Sequence, residues 1–285
     1  MNALYLVNKP SGISSFGVIR ELRKIHKSRK LGHAGTLDPF ATGLLIVGRG
    51  QYTRLLQYAE ALDKSYIATL FLGASTATGD PEGEILGRAA LPETEPDFAA
   101  LRAKALALTE LPLPRYSAVK INGVRAYHYA RKGIELELPL RALKIYELEI
   151  LDYDGNSLKY RARVTKGTYI RAISEWLAAE LGTLGYTSEL FRASIGSFCS
   201  KDACPWEARE LIDSYRIQPR SLLTAFTEYH ASAAEQKWLL QGNSIPVAPE
   251  LPEGEYAIYS QAGELIALAH KSAAAFKPKQ VFSLS

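Results

Sequence analysis

Between Gly32 and Gly43 the string GHAGTLDPFATG sets one carboxylate and one histidine among three glycines. A carboxylate can serve as nucleophile or base when it is held still against the group it attacks. Asp38 has the means to be held. Pro39 drives it out of the helical region, and the glycines at 32, 35 and 43 permit backbone shapes and close approaches closed to other residues. The apolar run Leu44-Leu45-Ile46-Val47 follows at once and predicts a buried strand, so the loop is mounted on the core. A lone Asp-Pro is commonly a turn former and nothing more; the string around this one argues for chemistry.

The elements that carry this loop are legible from periodicity. Leu4 to Val7 predicts a short strand, and Asn8-Lys9-Pro10-Ser11-Gly12 turns out of it. Ser14 or Ser15 then caps a helix whose Val18, Ile19, Leu22 and Ile25 follow helical spacing. A helix over 53–62, a strand over 65–73 and a helix over 97–108 are expected next. Residues 143–153 and 157–165 predict a hairpin across Asp154-Gly155-Asn156. In its second strand Leu158, Tyr160, Ala162 and Val164 alternate with Lys159, Arg161 and Arg163. Lys166-Gly167-Thr168 opens a helix that carries Ile170, Ile173, Leu177 and Leu181 and stops at Gly182. From about residue 227 the composition changes, and short strands are expected at 238–242, 255–259, 265–268 and 281–282.

At 285 residues, with 47 % hydrophobic and 22 % charged residues, the chain is globular and long enough for one large domain plus a small one. Its net charge of +4 is modest but unevenly spread. Arg20, Arg23, Lys24, Lys27, Arg29 and Lys30 stand against the single acid Glu21. Arg115, Lys120, Arg125, Arg131 and Lys132 run without an acid, interleaved with Tyr116, Tyr127, His128 and Tyr129. Arg161, Arg163, Lys166 and Arg171 make a third group, and past Thr224 the balance turns acidic. Such runs are commonly plain solvated surface, but cations that hold phosphates beside rings that stack on bases suit RNA. Cys199 and Cys204, four residues apart in between, make neither a zinc site nor a disulfide framework. No apolar run approaches the ~18 residues of a membrane span, and a cytoplasmic location is expected.

The string GHAGTLDPFATGLL resembles the motif around the catalytic aspartate of the TruB-type pseudouridine synthases, which make pseudouridine in the T loop of tRNA. Lys9-Pro10-Ser11-Gly12, Lys64-Ser65-Tyr66, Tyr116-Ser117-Ala118-Val119-Lys120 and Lys166-Gly167-Thr168-Tyr169-Ile170-Arg171 also match, in the family's order and approximate spacing. The resemblance implies an α+β fold: a mixed, largely antiparallel sheet with flanking helices and a small C-terminal PUA-like β unit. It implies a catalytic domain at 1–226, with an RNA-gripping insertion at about 107–135, and a second domain at 227–285 too short to make much core alone. Leu190-Phe191-Arg192 and Gly196-Ser197-Phe198 resemble the closing strand of the catalytic domain. Leu111 and Leu113 stand where the family usually has a glutamine and a proline.

The implied reaction breaks the bond from ribose C1′ to uracil N1, turns the base, and joins C1′ to C5. Nothing is oxidised and no group is donated, so neither a redox cofactor nor ATP is required, and no metal site is expected. Asp38 is the implied catalytic carboxylate; attack on the sugar, attack on the base and removal of a ribose proton all remain open. Arg171 is its implied partner, since a guanidinium lowers a carboxylate's pKa and orients it. By the same resemblance Tyr66 is expected to stack on the target base, Tyr169 to lie near the proton that leaves C5, Leu190 to form an apolar wall, and Lys9 and Pro10 to pack beside the site. The resemblance gives His33 the part of filling the gap left by the flipped base. Arg20, Lys30, Arg115, Tyr116, Lys120, Arg125, Tyr127, Arg131 and Arg192 are the expected RNA contacts. The expected partner is the T stem-loop of tRNA, bound by a monomer without a membrane or an obligatory protein partner. Two other readings compete. A chaperone that grips the tRNA elbow without catalysis does not need Asp38, Tyr66, Tyr169 and Arg171 together; a guide-dependent relative usually carries long basic extensions, absent here.

Overall fold

In a computed structural model of the chain the described residues are 1–283 except 115, 117, 118, 122, 126, 127, 130–133 and 135–137; of Lys120, Ile121, Val124 and Arg125 the backbone alone is described. β1 (Ala3–Lys9) leads into α1 (Ser15–Ile25), then β2 (Leu31–Ala34) and β3 (Thr42–Arg49). Ser14 is the N-cap of α1, its hydroxyl accepting from Gly17 N–H, and Arg23 and Lys24 lie in the last turn, where they complement the helix dipole. β3 pairs antiparallel with β1 and with β2, Ile46 lying opposite Leu6 and Ala34. Gly32, His33 and Ala34 therefore belong to a strand, and the loop that carries Asp38 shrinks to 35–41.

β1 and β3 are buried on both faces. On one, Val18, Ile19 and Leu22 of α1 pack against Tyr5, Val7, Leu45 and Val47. On the other, Leu4, Leu6, Leu44 and Ile46 meet Leu56 and Ala59 of α2 (Leu56–Ala61). Two-sided burial is why these strands read as continuous apolar runs. The helix expected over 53–62 divides into a 3-10 turn, Gly50–Leu55, and the short α2.

The other half comprises β4 (Lys64–Leu72), α3 (Phe98–Leu106), β5 (Ile145–Tyr153), β6 (Ser157–Val164), α4 (Ile170–Glu180) and β7 (Gly185–Ile195). Leu158, Tyr160, Ala162 and Val164 are buried while Lys159 and Arg161 are exposed, as their alternation predicts. With Ala68 and Leu70 of β4 they form a core under Ile173 and Leu177 of α4 and Leu101 of α3. α4 starts later than expected, with Tyr169 as its N-cap residue.

The sheet runs β5-β6-β4-β7-β3-β1-β8, where β8 is Arg216–Ile217. Neighbours are antiparallel except β7 and β3, which are parallel and joined at two pairs, Phe191 opposite Thr42 and Arg192 opposite Gly43. β7 is thus a central strand that joins two halves, and the closing stretch expected at 190–198 falls on its second part and on the short strand Phe198–Cys199 paired with it. Gly43 permits the join: its φ is +104° and a Cβ there would stand 2.4 Å from the Arg192 carbonyl oxygen.

A second sheet has the order β9 (Thr227–His230), β10 (Gly254–Tyr259), β11 (Leu265–Ser272), β12 (Ala275–Val281), with Ile245–Pro246 beyond β12. The strand expected at 238–242 is instead the end of a helix, α5 (Ala233–Leu240). Its start is fixed by a capping box between Ser232 and Glu235, a signal outside the apolar run Trp238-Leu239-Leu240. Ala257, Tyr259, Leu265, Leu268 and Phe282 pack in one cluster with Leu4, Leu6 and Ile46, so the second sheet leans on the first. Asn2 Nδ2 donates to the Ser283 carbonyl at 3.0 Å and Ser283 N–H to Gln51 Oε1 at 2.6 Å. Among the described residues no helix is long and apolar enough to cross a membrane.

Candidate active site

Where the two halves meet, a cleft of about 380 Å³ opens. Asp38 enters it from the loop before β3, Tyr66 from β4, Leu190 from β7, and Tyr169 and Arg171 from the start of α4. Tyr116, Lys64, Arg141, Lys166 and Arg192 complete much of its wall. Gly167 takes φ +74°, a backbone shape that favours glycine, and the Arg141 guanidinium lies against it, so a Cβ there would displace that side chain.

The Asp38 loop takes its hydrogen bonds from the turn after β1. Gly12 N–H and Lys9 Nζ donate to the Pro39 carbonyl at 2.9 and 3.1 Å, and the Ser11 hydroxyl donates to the Phe40 carbonyl at 3.0 Å. Lys9 Nζ also donates to the carbonyls of Pro10 and Ile13 at 2.8 and 2.6 Å. Burial pushes its pKa down to about 8. Lys9 is thus a tie beneath the site, and the half-buried Pro10 lies beside it. Lys64 does the same for the end of α2, donating to the carbonyls of Glu60 and Leu62 at 2.6 and 2.5 Å, with burial again pushing its pKa to about 8.

Arg171 organises the floor. Its side chain is 4 % exposed, and Nε lies 3.0 Å from Asp38 Oδ2 while Nη2 donates to Oδ1 at 3.4 Å. Nη1 meets Asp80 Oδ2 at 3.3 Å and donates to the Thr78 carbonyl at 2.5 Å; Nη2 also donates to the Tyr116 carbonyl at 3.1 Å. One buried cation therefore serves two carboxylates. Asp80 is itself fixed, Oδ1 accepting from the Thr78 hydroxyl at 2.5 Å and from Glu82 N–H at 3.1 Å. Burial raises the Asp38 carboxyl above its ordinary pKa; Arg171 and Lys9 pull it back and Asp80 adds to the rise. Sequence reasoning missed Asp80 because Thr78-Gly79-Asp80-Pro81 reads as a turn. The available signal was the repeat of Asp-Pro, the dipeptide that also holds Asp38.

The sequence profile of the TruB family pseudouridylate synthase (N terminal domain) matches residues 23–170. The chain is 36 % identical to the "tRNA pseudouridine synthase B" of Thermobifida fusca, over 99 % of each chain. It is 35 % identical to the protein of the same name from Hydrogenovibrio crunogenus, over 89 % of this chain and 84 % of that one. The chain belongs to the TruB family of pseudouridylate synthases. It is a pseudouridine synthase, hence an isomerase. Solved structures share the fold: a chain of a Cbf5-Nop10-Gar1 complex matches with a TM-score of 0.70 at 21 % identity, covering 99 % of this chain and 85 % of that one. A chain of an H/ACA RNP bound to a substrate RNA containing 2′-deoxyuridine matches at 0.68 and 20 % identity, with coverage of 99 % and 85 %.

The remaining residues that the TruB resemblance singles out do not share one place. His33 lies on β2 opposite Val47, outside the cleft wall; its Nδ1 is buried without a hydrogen-bond partner, and burial together with Arg192 lowers its pKa, leaving a neutral ring at pH 7. Arg192, expected among the RNA contacts, lies in the cleft wall. It is 1 % exposed, and its guanidinium donates to the carbonyls of Leu44 at 2.7 Å and Gly35 at 3.1 Å. A cation that ties both ends of the Asp38 loop is a brace, and it reaches substrate only from inside the cleft. Arg20 and Lys30 are exposed. Tyr116 lies in the cleft wall. Arg115, Tyr127 and Arg131, and the side chains of Lys120 and Arg125, lie outside the described residues. Among the described residues no three His, Cys, Asp or Glu side chains converge as metal ligands.

Proposed function

We propose that the chain converts uridine to pseudouridine at position 55, in the T loop of tRNA, with Asp38 as the catalytic carboxylate. The observation that carries the reading is the Arg171 guanidinium shared by Asp38 and Asp80 at the floor of a cleft lined by Tyr66, Tyr116 and Tyr169. The names of the relatives in Thermobifida fusca and Hydrogenovibrio crunogenus support tRNA as the substrate. A target base in a folded T loop is stacked and has to be extruded before it reaches such a cleft. Tyr66 then stacks on it, Leu190 walls it, Tyr169 lies at the proton that leaves C5, and the neutral His33 ring occupies the vacated stack. Asp38 in its ionised form begins the rearrangement, oriented by a guanidinium that keeps a counter-ion in Asp80 whatever becomes of Asp38. An RNA-binding chaperone has no use for such a buried pair, because removing charges from water costs more than it returns unless the charges do something.

In this reading residues 1–226 hold the chemistry, about 107–135 grip the RNA, and 227–285 form a PUA-like unit that adds RNA contacts. The protein works as a monomer in the cytoplasm on tRNA alone. Incubation of the purified protein with an unmodified tRNA transcript, followed by mapping of pseudouridine, tests the assignment. Modification at position 55 is the expected result; modification at another site, or a requirement for a guide RNA, overturns it.

A further inference from the structure

We infer that Ser15 is a positioning residue for the reaction, acting on Asp38 through the backbone of Leu37; the inference rests on the reading of Asp38 as the catalytic carboxylate. Buried peptide groups need partners, and a loop that has left its sheet loses the ladder that would supply them. Leu37 is in that position. It lies outside any strand, is 3 % exposed, and packs its side chain in the core with Tyr66 and Leu190. Both of its peptide groups are satisfied by one atom. Ser15 Oγ accepts from Leu37 N–H at 2.8 Å and donates to the Leu37 carbonyl at 3.0 Å, a double role open to a hydroxyl and closed to any apolar side chain.

The hydroxyl is also fixed in place. Ser15 is 1 % exposed and is the first residue of α1, while the neighbouring Ser14 caps the helix and leaves the Ser15 hydroxyl free of that duty. Asp38 is then gripped on both sides. Ser15 holds the residue before it, and Lys9 with Gly12 holds the carbonyl of the residue after it. Between these two anchors the carboxylate reaches Arg171 at 3.0 Å. Loss of the hydroxyl frees the first anchor and lets the carboxylate drift from Arg171 and from the base above it.

The test compares Ser15→Ala, Ser15→Thr, Ser14→Ala and Asp38→Asn by single-turnover tritium release from [5-³H]uridine-labelled tRNA, with tRNA affinity and thermal melting measured on the same preparations. Ser15→Ala is expected to lower the rate constant about 10- to 100-fold, the scale of a misplacement near 1 Å, with tRNA affinity unchanged. Ser15→Thr, which keeps the hydroxyl, recovers most of the rate. Ser14→Ala removes the cap of the same helix and lowers the melting temperature but not the rate. A normal rate for folded Ser15→Ala beside an inactive Asp38→Asn overturns the inference alone. So does an equal loss in Ser14→Ala, or a folded Ser15→Thr no better than alanine. An active Asp38→Asn overturns the reading of Asp38 and the Ser15 inference with it. Should the Ser15 variants fail to fold, amide exchange in the unaltered protein decides: Leu37 N–H must be protected like the amides of β3, and exchange at the rate of an open loop overturns the inference.

Discussion

The two halves of the main sheet differ in how many faces they bury. β1 and β3 are covered on both sides, by α1 on one and by α2 and the second sheet on the other, whereas β4 and β6 cover one face with α3 and α4 and leave the other more open, with Ile67, Thr69 and Phe71 on β4 and Lys159, Arg161 and Arg163 on β6. The doubly packed half carries the loop with Asp38. The singly packed half supplies Tyr66, Leu190 and, through α4, Tyr169 and Arg171. With the Asp38 loop on one half and the walls on the other, the cleft lies at the two-pair join between β3 and β7.

The largest effect expected is on the carboxylate itself. Asp38→Asn should reduce turnover to background yet leave the melting temperature unchanged or higher. The sign follows from the raised Asp38 pKa: its contribution to stability is present at low pH and is lost as pH rises through the folded value, so at neutral pH the charge opposes folding. A melting temperature several degrees lower would show that Arg171 depends on Asp38 rather than on Asp80. Asp80→Asn should do the reverse in stability, because it breaks a pair in which both side chains are about 5 % exposed or less; denaturant unfolding should report a loss of roughly 3–5 kcal/mol.

The comparison of the halves is sharpened by neighbouring residues on one strand. Leu44→Ala and Leu45→Ala point to opposite faces of β3, and both should cost about 2–5 kcal/mol. In β6, Leu158→Ala should cost as much while Lys159→Ala stays within about 0.5 kcal/mol. If Leu44 and Leu45 differ as strongly as Leu158 and Lys159, two-sided burial is wrong. Gly43→Ala drives a Cβ into the Arg192 backbone and should cost more than about 1 kcal/mol, with activity falling further than stability alone explains. The smallest effect is on the pH profile. The acid limb of the single-turnover rate should lie above the ordinary carboxylate range and move to lower pH in Asp80→Asn, since Asp80 is one of the groups that raises Asp38.

Legibility in the sequence followed the number of covered faces. The alternation of Leu158 to Val164 located β6 and its inward face, and the continuous run at 44–47 located β3, because each pattern is imposed directly by burial. The apolar run at 238–240 misled, since helix and strand share short apolar runs and the capping box at Ser232 and Glu235 decides between them. At the site, Asp38 and its motif partners stood out, whereas Asp80 hid in a turn and the burial of Arg192, expected among the RNA contacts, left no local sign. Asp80 meets Arg171 as an ion pair and Arg192 donates to the Gly35 and Leu44 carbonyls; these partners are far away in sequence, and no local pattern records such contacts.

The packing of Phe282, Tyr259 and Leu268 into the cluster that holds Leu4, Leu6 and Ile46 has a consequence for cooperativity. Two sheets that share side chains in one apolar cluster cannot melt independently, so calorimetry should show a single transition in which calorimetric and van't Hoff enthalpies agree. Phe282→Ala should lower that one transition temperature, and β3 should register the change through Ile46, although Gly43 and the Asp38 loop lie at the other end of the strand. Two resolved transitions would mean that the sheets touch without sharing their free energy.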